Sequence, residues 1–215
     1  MNPPPKVKIC GITRPEDAET ALRLGADFIG INLFSRSPRA VHAEEVPAIF
    51  EAVPAGKRVL VDVNPGTDVL EQHLRLGFDA FQLHCPHDLD LATLAGWSGL
   101  VGVEQLWLAP KVPPGEAFPQ TALEFTNTIL FDTYSQDPLV FGGTGKAADW
   151  GKFEEWRTLY AHKRWILAGG LGPENVRSAL EKTSPDMVDF NSGVESAPGI
   201  KEPAKLKALF QILLA

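Results

Sequence analysis

The chain has 215 residues, 44% of them hydrophobic and 22% charged, with a formal net charge of −7. That length fits one domain, or at most two small ones, with enough apolar mass for a core. The acidic balance argues against non-specific nucleic-acid binding, which needs a basic surface, while leaving room for a local pocket that takes a small anion.

No apolar run reaches membrane-spanning length, and the opening MNPPPKVKIC lacks the apolar stretch of a signal peptide. The two cysteines, Cys10 and Cys85, are too few for a disulfide framework and form no C-x-x-C or zinc pattern. The expected setting is therefore cytoplasmic, with no membrane partner and no metal.

The first apolar run, 6–10 (KVKIC), alternates as a strand and puts Lys8 and Cys10 on one face. After Thr13-Arg14, the residues Pro15-Glu16-Asp17 suit a helix N-terminus. LRLGADFIG at 22–30 reads as a helix end stopped by Gly25 and followed by a second strand, 27–33. The third strand is 58–63 (RVLVDV), where alternation is read to place Asp62 on the inward face with Leu60 and Asn64. A buried carboxylate there needs a partner, and Lys8 is the candidate.

LRLGFDAFQ at 74–82 repeats the earlier pattern with Gly77 as the stop, and leads into a fourth strand, 79–84. The copies lie 52 positions apart with one further strand–helix unit between them. Each unit thus takes about 26 residues, and the chain has room for about eight. The remaining strands are 100–107 (LVGVEQLW), 128–132 (TILFD), 164–169 (RWILAG) and 186–191 (DMVDFN). The stretch 108–120 is too rich in proline for a long helix, so the fifth connection is mostly loop. Eight alternating units favour an α/β fold closed as a (β/α)₈ TIM barrel, one catalytic domain over residues 1–215, over an open doubly wound sheet.

In such a barrel the active site lies at the C-terminal ends of the strands. Those positions carry Cys10, the Leu33–Arg39 stretch, Asn64, His84, Asp132 and three glycine clusters: Gly142-Gly143-Thr144-Gly145, Gly169-Gly170 and Ser192-Gly193. Glycines let backbone N–H groups approach an anion closely, and three clusters in the last three units point to a phosphate rather than to tight turns alone. Cys10 has two readings: a base whose thiolate Lys8 favours, or a small buried thiol. Asp132 is an acid or a turn cap, and His84 touches substrate or only its neighbours. The other histidines, His42, His73, His87 and His162, are expected in solvent, the five tryptophans mostly in packing, and Cys85 in the core.

Lys8-Ile9-Cys10-Gly11-Ile12-Thr13, Gly25-Ala26-Asp27, Ser37-Pro38-Arg39 and Gln82-Leu83-His84 form an ordered series. It continues through Asp132 with the G-G-T-G loop and Asp149-Trp150, then Ala168-Gly169-Gly170-Leu171 with Pro173-Glu174-Asn175-Val176. It ends at Ser192-Gly193-Val194-Glu195 with Pro198-Gly199. The series resembles the phosphoribosylanthranilate isomerase family of tryptophan biosynthesis. The resemblance implies an Amadori rearrangement of a phosphosugar with no cofactor, by a monomer or homodimer. It implies Asp132 as general acid, Cys10 as general base and Arg39 on the anthranilate carboxylate. It also implies substrate contacts from His84, Gly143, Gly145, Gly169, Gly170, Asp189, Ser192 and Gly193. The second-strand segment Gly30-Ile31-Asn32-Leu33, Asp62, Cys85, Asn191 and the segment Glu104–Trp107 depart from the family's usual pattern. The histidine-pathway isomerase, which resembles a barrel with a carboxylate ending its first strand, fits less well because Cys10 stands there. Indole-glycerol-phosphate synthase lacks a matching strand-end lysine here, and a barrel that only binds would need neither Cys10 nor Asp132.

Overall fold

The computed structural model describes residues 3–134 and 148–214. Eight parallel strands close into a barrel in sequence order: β1 (Lys6–Ile9), β2 (Phe28–Asn32), β3 (Arg58–Val63), β4 (Ala80–Pro86), β5 (Leu106–Lys111), β6 (Thr128–Phe131), β7 (Arg164–Leu167) and β8 (Met187–Phe190). β1 pairs with both β2 and β8, which completes the ring. The connections carry α1 (Pro15–Leu24), α2 (Val46–Phe50), α3 (Thr67–Leu74), α4 (Leu91–Val101), α5 (Trp150–Leu159), α6 (Val176–Thr183) and α7 (Pro203–Leu213). A short antiparallel hairpin, β9 (Glu195–Ala197) with β10 (Ile200–Lys201), follows β8. No helix among the described residues is long and apolar enough to cross a membrane.

The repeated LRLG-x-D pattern has a structural cause. Gly25 and Gly77 both take positive φ, 118° and 87°, and end the helical segment before the next strand. The aspartate two residues on then turns back. Asp27 accepts the N–H of Val7 at 2.8 Å, and Asp79 accepts that of Arg58 at 2.9 Å. Asp186 repeats this in the last unit, accepting from Trp165 at 2.8 Å. Each carboxylate satisfies a strand-start donor that would otherwise lack a partner at the barrel's lower rim.

Two apolar shells hold the fold. Residues facing out of the barrel, such as Ile9, Ile29, Leu60, Leu83, Leu108, Ile129, Leu167 and Val188, pack against the helices. Inside, Val59, Ala80, Trp107, Leu130, Ile166 and Met187 fill the lower half. Above them the inward positions turn polar, which is where a binding site can open. Burying these side chains, at about 25 cal/mol per Å² of apolar surface, supplies the main driving force.

Three expectations need correction. The fifth strand is Leu106–Lys111, not 100–107: Leu100 and Val101 finish α4, whose start is capped by Asp90 accepting from the Thr93 N–H. The helix ends at Gly102, with φ 90°, and a turn leads to Leu106. The fifth connection is loop with one 3₁₀ turn (Gln120–Glu124), as its prolines imply. Asp62 does not face inward: Val59 belongs to the interior, Val61 lines the upper cavity, and Leu60 packs with the outer core. The Asp62 carboxylate lies instead 3.5 Å from His73 Nδ1 of α3, so His73 is half-buried rather than solvated. His87 is also partly covered, while His42 and His162 are exposed.

Candidate active site

The polar upper layer is built by alternation. Lys8 sits two residues before Cys10, Gln82 two before His84, and Leu130 two before Asp132, so each functional side chain stands one layer above an inward neighbour. Cys10, Gln82, His84, Asp132, Gly169, Gly170, Asp189, Asn191 and Ser192 line one cavity of about 50 Å³. A second cavity of about 100 Å³ shares His84 and Asp132 with it and extends toward Lys111, Tyr134 and Lys152. Gly143 and Gly145 lie outside the described residues.

Lys8 is fully buried and donates to both Asp189 oxygens at 3.0 Å. Burial opposes its charge, but Asp189 and Cys10 outweigh that, and its pKa stands above the usual lysine value. Gly30 on β2 makes this packing possible. A Cβ there would lie 3.0 Å from Cys10 Sγ and from Lys8 Nζ, so its absence leaves room for ammonium and thiol side by side. Even so, Lys8 does not make Cys10 a ready thiolate. Burial and then Asp189 push the thiol up, and the pull of Lys8 and Lys201 is insufficient to reverse it.

Asp132 is half-buried, and burial raises its pKa to about 6 despite the Thr133 N–H donated to Oδ1 at 2.7 Å. Gly169 guards this carboxyl. It has φ 87°, and a Cβ would meet the Thr133 nitrogen at 2.8 Å and Asp132 Oδ1 at 3.0 Å. Gly193 likewise lets the loop after β8 touch the loop after β7, since its Cβ would lie 2.8 Å from the Leu171 carbonyl carbon. His84 is buried, its Nε2 is 2.9 Å from Gln82 Nε2, and burial followed by the charge of Lys8 drops its pKa to about 3. A neutral imidazole therefore faces the cavity. Gln82 Oε1 is buried and has no hydrogen-bond partner among the described residues.

Arg39 comes from the loop after β2. Asn32 shapes that loop by accepting the Phe34 N–H at 2.9 Å and donating to Ser37 Oγ at 3.2 Å, and Ser37 Oγ accepts the Arg39 N–H at 3.1 Å. The Arg39 side chain passes beside Gly11 and is clamped by Glu195. It flanks the cavity rather than lining it. Glu195 in turn accepts from Lys201 at 2.8 Å. Burial opposes the Glu195 charge, but Arg39 and Lys201 hold its pKa below the usual glutamate value, whereas burial lowers that of Lys201. Sequence reasoning gave neither residue a role. Glu195 was visible only as part of a motif, and Lys201 sits in a two-residue strand too short for alternation to reveal its direction. Cys85 packs in the outer core, and burial pushes its thiol up to about 12.

The site thus joins a carboxyl and a thiol across a small polar cavity, with glycine turns at the ends of β7 and β8. Known proteins match the chain along nearly its whole length. The family model for N-(5'-phosphoribosyl)anthranilate (PRA) isomerase matches residues 7–212. The N-(5'-phosphoribosyl)anthranilate isomerase of Gloeothece citriformis is 36% identical over 212 residues, covering 97% of this chain and 93% of the relative. The crystal structure of the Thermus thermophilus phosphoribosyl anthranilate isomerase superposes with a TM-score of 0.79 at 32% identity, covering 97% and 98% of the two chains. A second structure, at 29% identity and TM-score 0.78 and covering 98% of each chain, is of a phosphoribosyl anthranilate isomerase in complex with reduced 1-(o-carboxyphenylamino)-1-deoxyribulose 5-phosphate. The chain belongs to the phosphoribosylanthranilate isomerase family.

Proposed function

We propose that Asp132 and Cys10 divide the proton transfers by which this chain isomerises N-(5-phosphoribosyl)anthranilate to 1-(2-carboxyphenylamino)-1-deoxyribulose 5-phosphate in tryptophan biosynthesis. The observation that carries the division is that both groups line one cavity, and that burial brings the Asp132 carboxyl to about 6, where it can still carry a proton.

Asp132 protonates the furanose oxygen, the C1′–O bond breaks, and the nitrogen lone pair forms the C=N bond of an iminium. Cys10 thiolate then removes the C2′ proton. The freed electron pair forms the C1′=C2′ bond and neutralises the nitrogen, giving an enolamine that tautomerises to the ketone. These steps ask for one acid and one base, with no redox change. The neutral His84 contributes a hydrogen-bonding wall rather than a charge. Arg39 takes the anthranilate carboxylate, where a guanidinium fork suits two oxygens. Gly169, Gly170, Ser192 and Gly193, with Gly143 and Gly145, cradle the phosphate, and Asp189 acts on the site through Lys8.

On the same reading the whole chain, residues 1–215, acts as one catalytic domain in the cytoplasm, as a monomer or homodimer whose partner is the phosphosugar. Proton NMR of freshly generated phosphoribosylanthranilate mixed with the protein tests the reaction. The anomeric proton should vanish as a C1 methylene signal appears. If the anomeric signal decays only as fast as without protein, the assignment fails.

A further inference from the structure

We propose that Glu195, on the β9–β10 hairpin, is a positioning residue that presents one edge of the Arg39 guanidinium to the carboxylate of the substrate. The inference rests on the reading of Arg39 as the carboxylate-binding group and adds what aims it.

A guanidinium has five N–H donors in a plane, and two of its edges match a carboxylate: Nε with one Nη, and the two Nη groups together. Glu195 takes the first edge. Arg39 Nε donates to Oε1 at 2.9 Å and to Oε2 at 3.1 Å, and Nη2 donates to Oε2 at 2.7 Å. Arg39 Nη1 makes no hydrogen bond to any described residue, so the Nη1/Nη2 edge keeps donors for a second carboxylate. The clamp is itself fixed. Glu195 Oε1 also accepts from Lys201 Nζ at 2.8 Å and from the Gly199 N–H at 3.1 Å. Lys201 in turn donates to Asn191 Oδ1 at 2.9 Å.

Charge counting explains why a carboxylate can hold Arg39 without cancelling it. Arg39 and Lys201 are two cations around the single anion Glu195, so one positive charge remains for an incoming anion. An arginine on a loop loses side-chain entropy when it grips a ligand. A clamp already in place removes most of that cost before substrate arrives. The hairpin thereby links the end of β8 to the loop after β2, beside Gly11 and Cys10.

The test compares phosphoribosylanthranilate with N-(5-phosphoribosyl)aniline, which lacks the carboxylate, in wild type, Glu195→Gln, the charge-balanced double variant Glu195→Gln/Lys201→Met, and Arg39→Ala. Glu195→Gln and the double variant should each raise KM for phosphoribosylanthranilate ~10-fold, far more than kcat falls, with little change in KM for the aniline compound. The double variant leaves no unpaired Lys201 and so separates positioning from lost folding. If both Glu195 variants raise the two KM values alike, or neither, while Arg39→Ala affects only the carboxylate-bearing substrate, the positioning role is overturned and the Arg39 reading stands. If Arg39→Ala itself fails to discriminate between the two substrates, the Arg39 reading falls, and this inference with it.

Discussion

Lys8 and Asp189 stand opposite one another across the seam that closes the barrel, their Cα positions in register between β1 and β8 and the ammonium 3.0 Å from both carboxylate oxygens. The Lys8 side chain lies one layer below Cys10, and Asp189 lines the cavity beside it. The lysine does not release the Cys10 proton by itself: burial raises the thiol pKa most, and Asp189, which competes for the same charge, raises it further.

Removing one member of this pair should be costly. Lys8→Met leaves a buried carboxylate without its cation and is expected to lose ~3–5 kcal/mol in urea unfolding. The double variant Lys8→Met/Asp189→Leu should recover much of that loss, because both charges leave together. A double variant less stable than either single one would contradict the pairing as the cause.

The rate should break near pH 6. Asp132 must be protonated to act as acid, and Cys10 must be a thiolate to act as base. Below about 6 Asp132 already holds its proton, so kcat/KM climbs with the thiolate fraction, ~10-fold per pH unit. Above it, loss of the Asp132 proton cancels the gain in thiolate and the profile flattens until Cys10 titrates. Asp132→Asn should abolish the break and leave residual activity rising through it. A break that survives in the variant belongs to another group.

Asp62 predicts a stability change of opposite sign to the usual carboxylate. Burial is the leading cause that lifts its pKa to about 6 in the folded chain. An unfolded aspartate titrates near ~4, so the native state binds more protons between these values and stability falls as pH rises through that window. Asp62→Asn should therefore stabilise the protein at pH 8 by on the order of 2 kcal/mol and change little at pH 4. A lower Tm for the variant at pH 8 would contradict burial of the Asp62 charge as a destabilising cost.

The barrel was legible because its cause is local and repeated. The glycine stop and strand-capping aspartate recur at 25–27 and 77–79, and they give the unit length from which eight strands follow. The strand ends then bring Cys10, His84 and Asp132 together without further information. Asp62 was misplaced because β3 is buried on both faces: in RVLVDV either row can be the inner one, and alternation gives the phase only when one face is polar. Strand five slipped for a related reason. LVGVEQLW is apolar enough to be a strand, but its first two residues complete α4, and Gly102 is the stop that separates them from β5. The Arg39–Glu195–Lys201 cluster was hidden because its members are brought together by a loop and a hairpin, with 156 positions between Arg39 and Glu195.

On the proposed mechanism one carboxyl and one thiol carry the reaction. Its most direct test is the loss of anthranilate fluorescence from fresh phosphoribosylanthranilate, followed at equal protein concentration for wild type, Cys10→Ala and Asp132→Asn. Wild type should consume the substrate rapidly, while each variant loses at least ~10²-fold in kcat with a modest change in KM. Either variant turning over at the wild-type rate would remove that residue from the proton transfers.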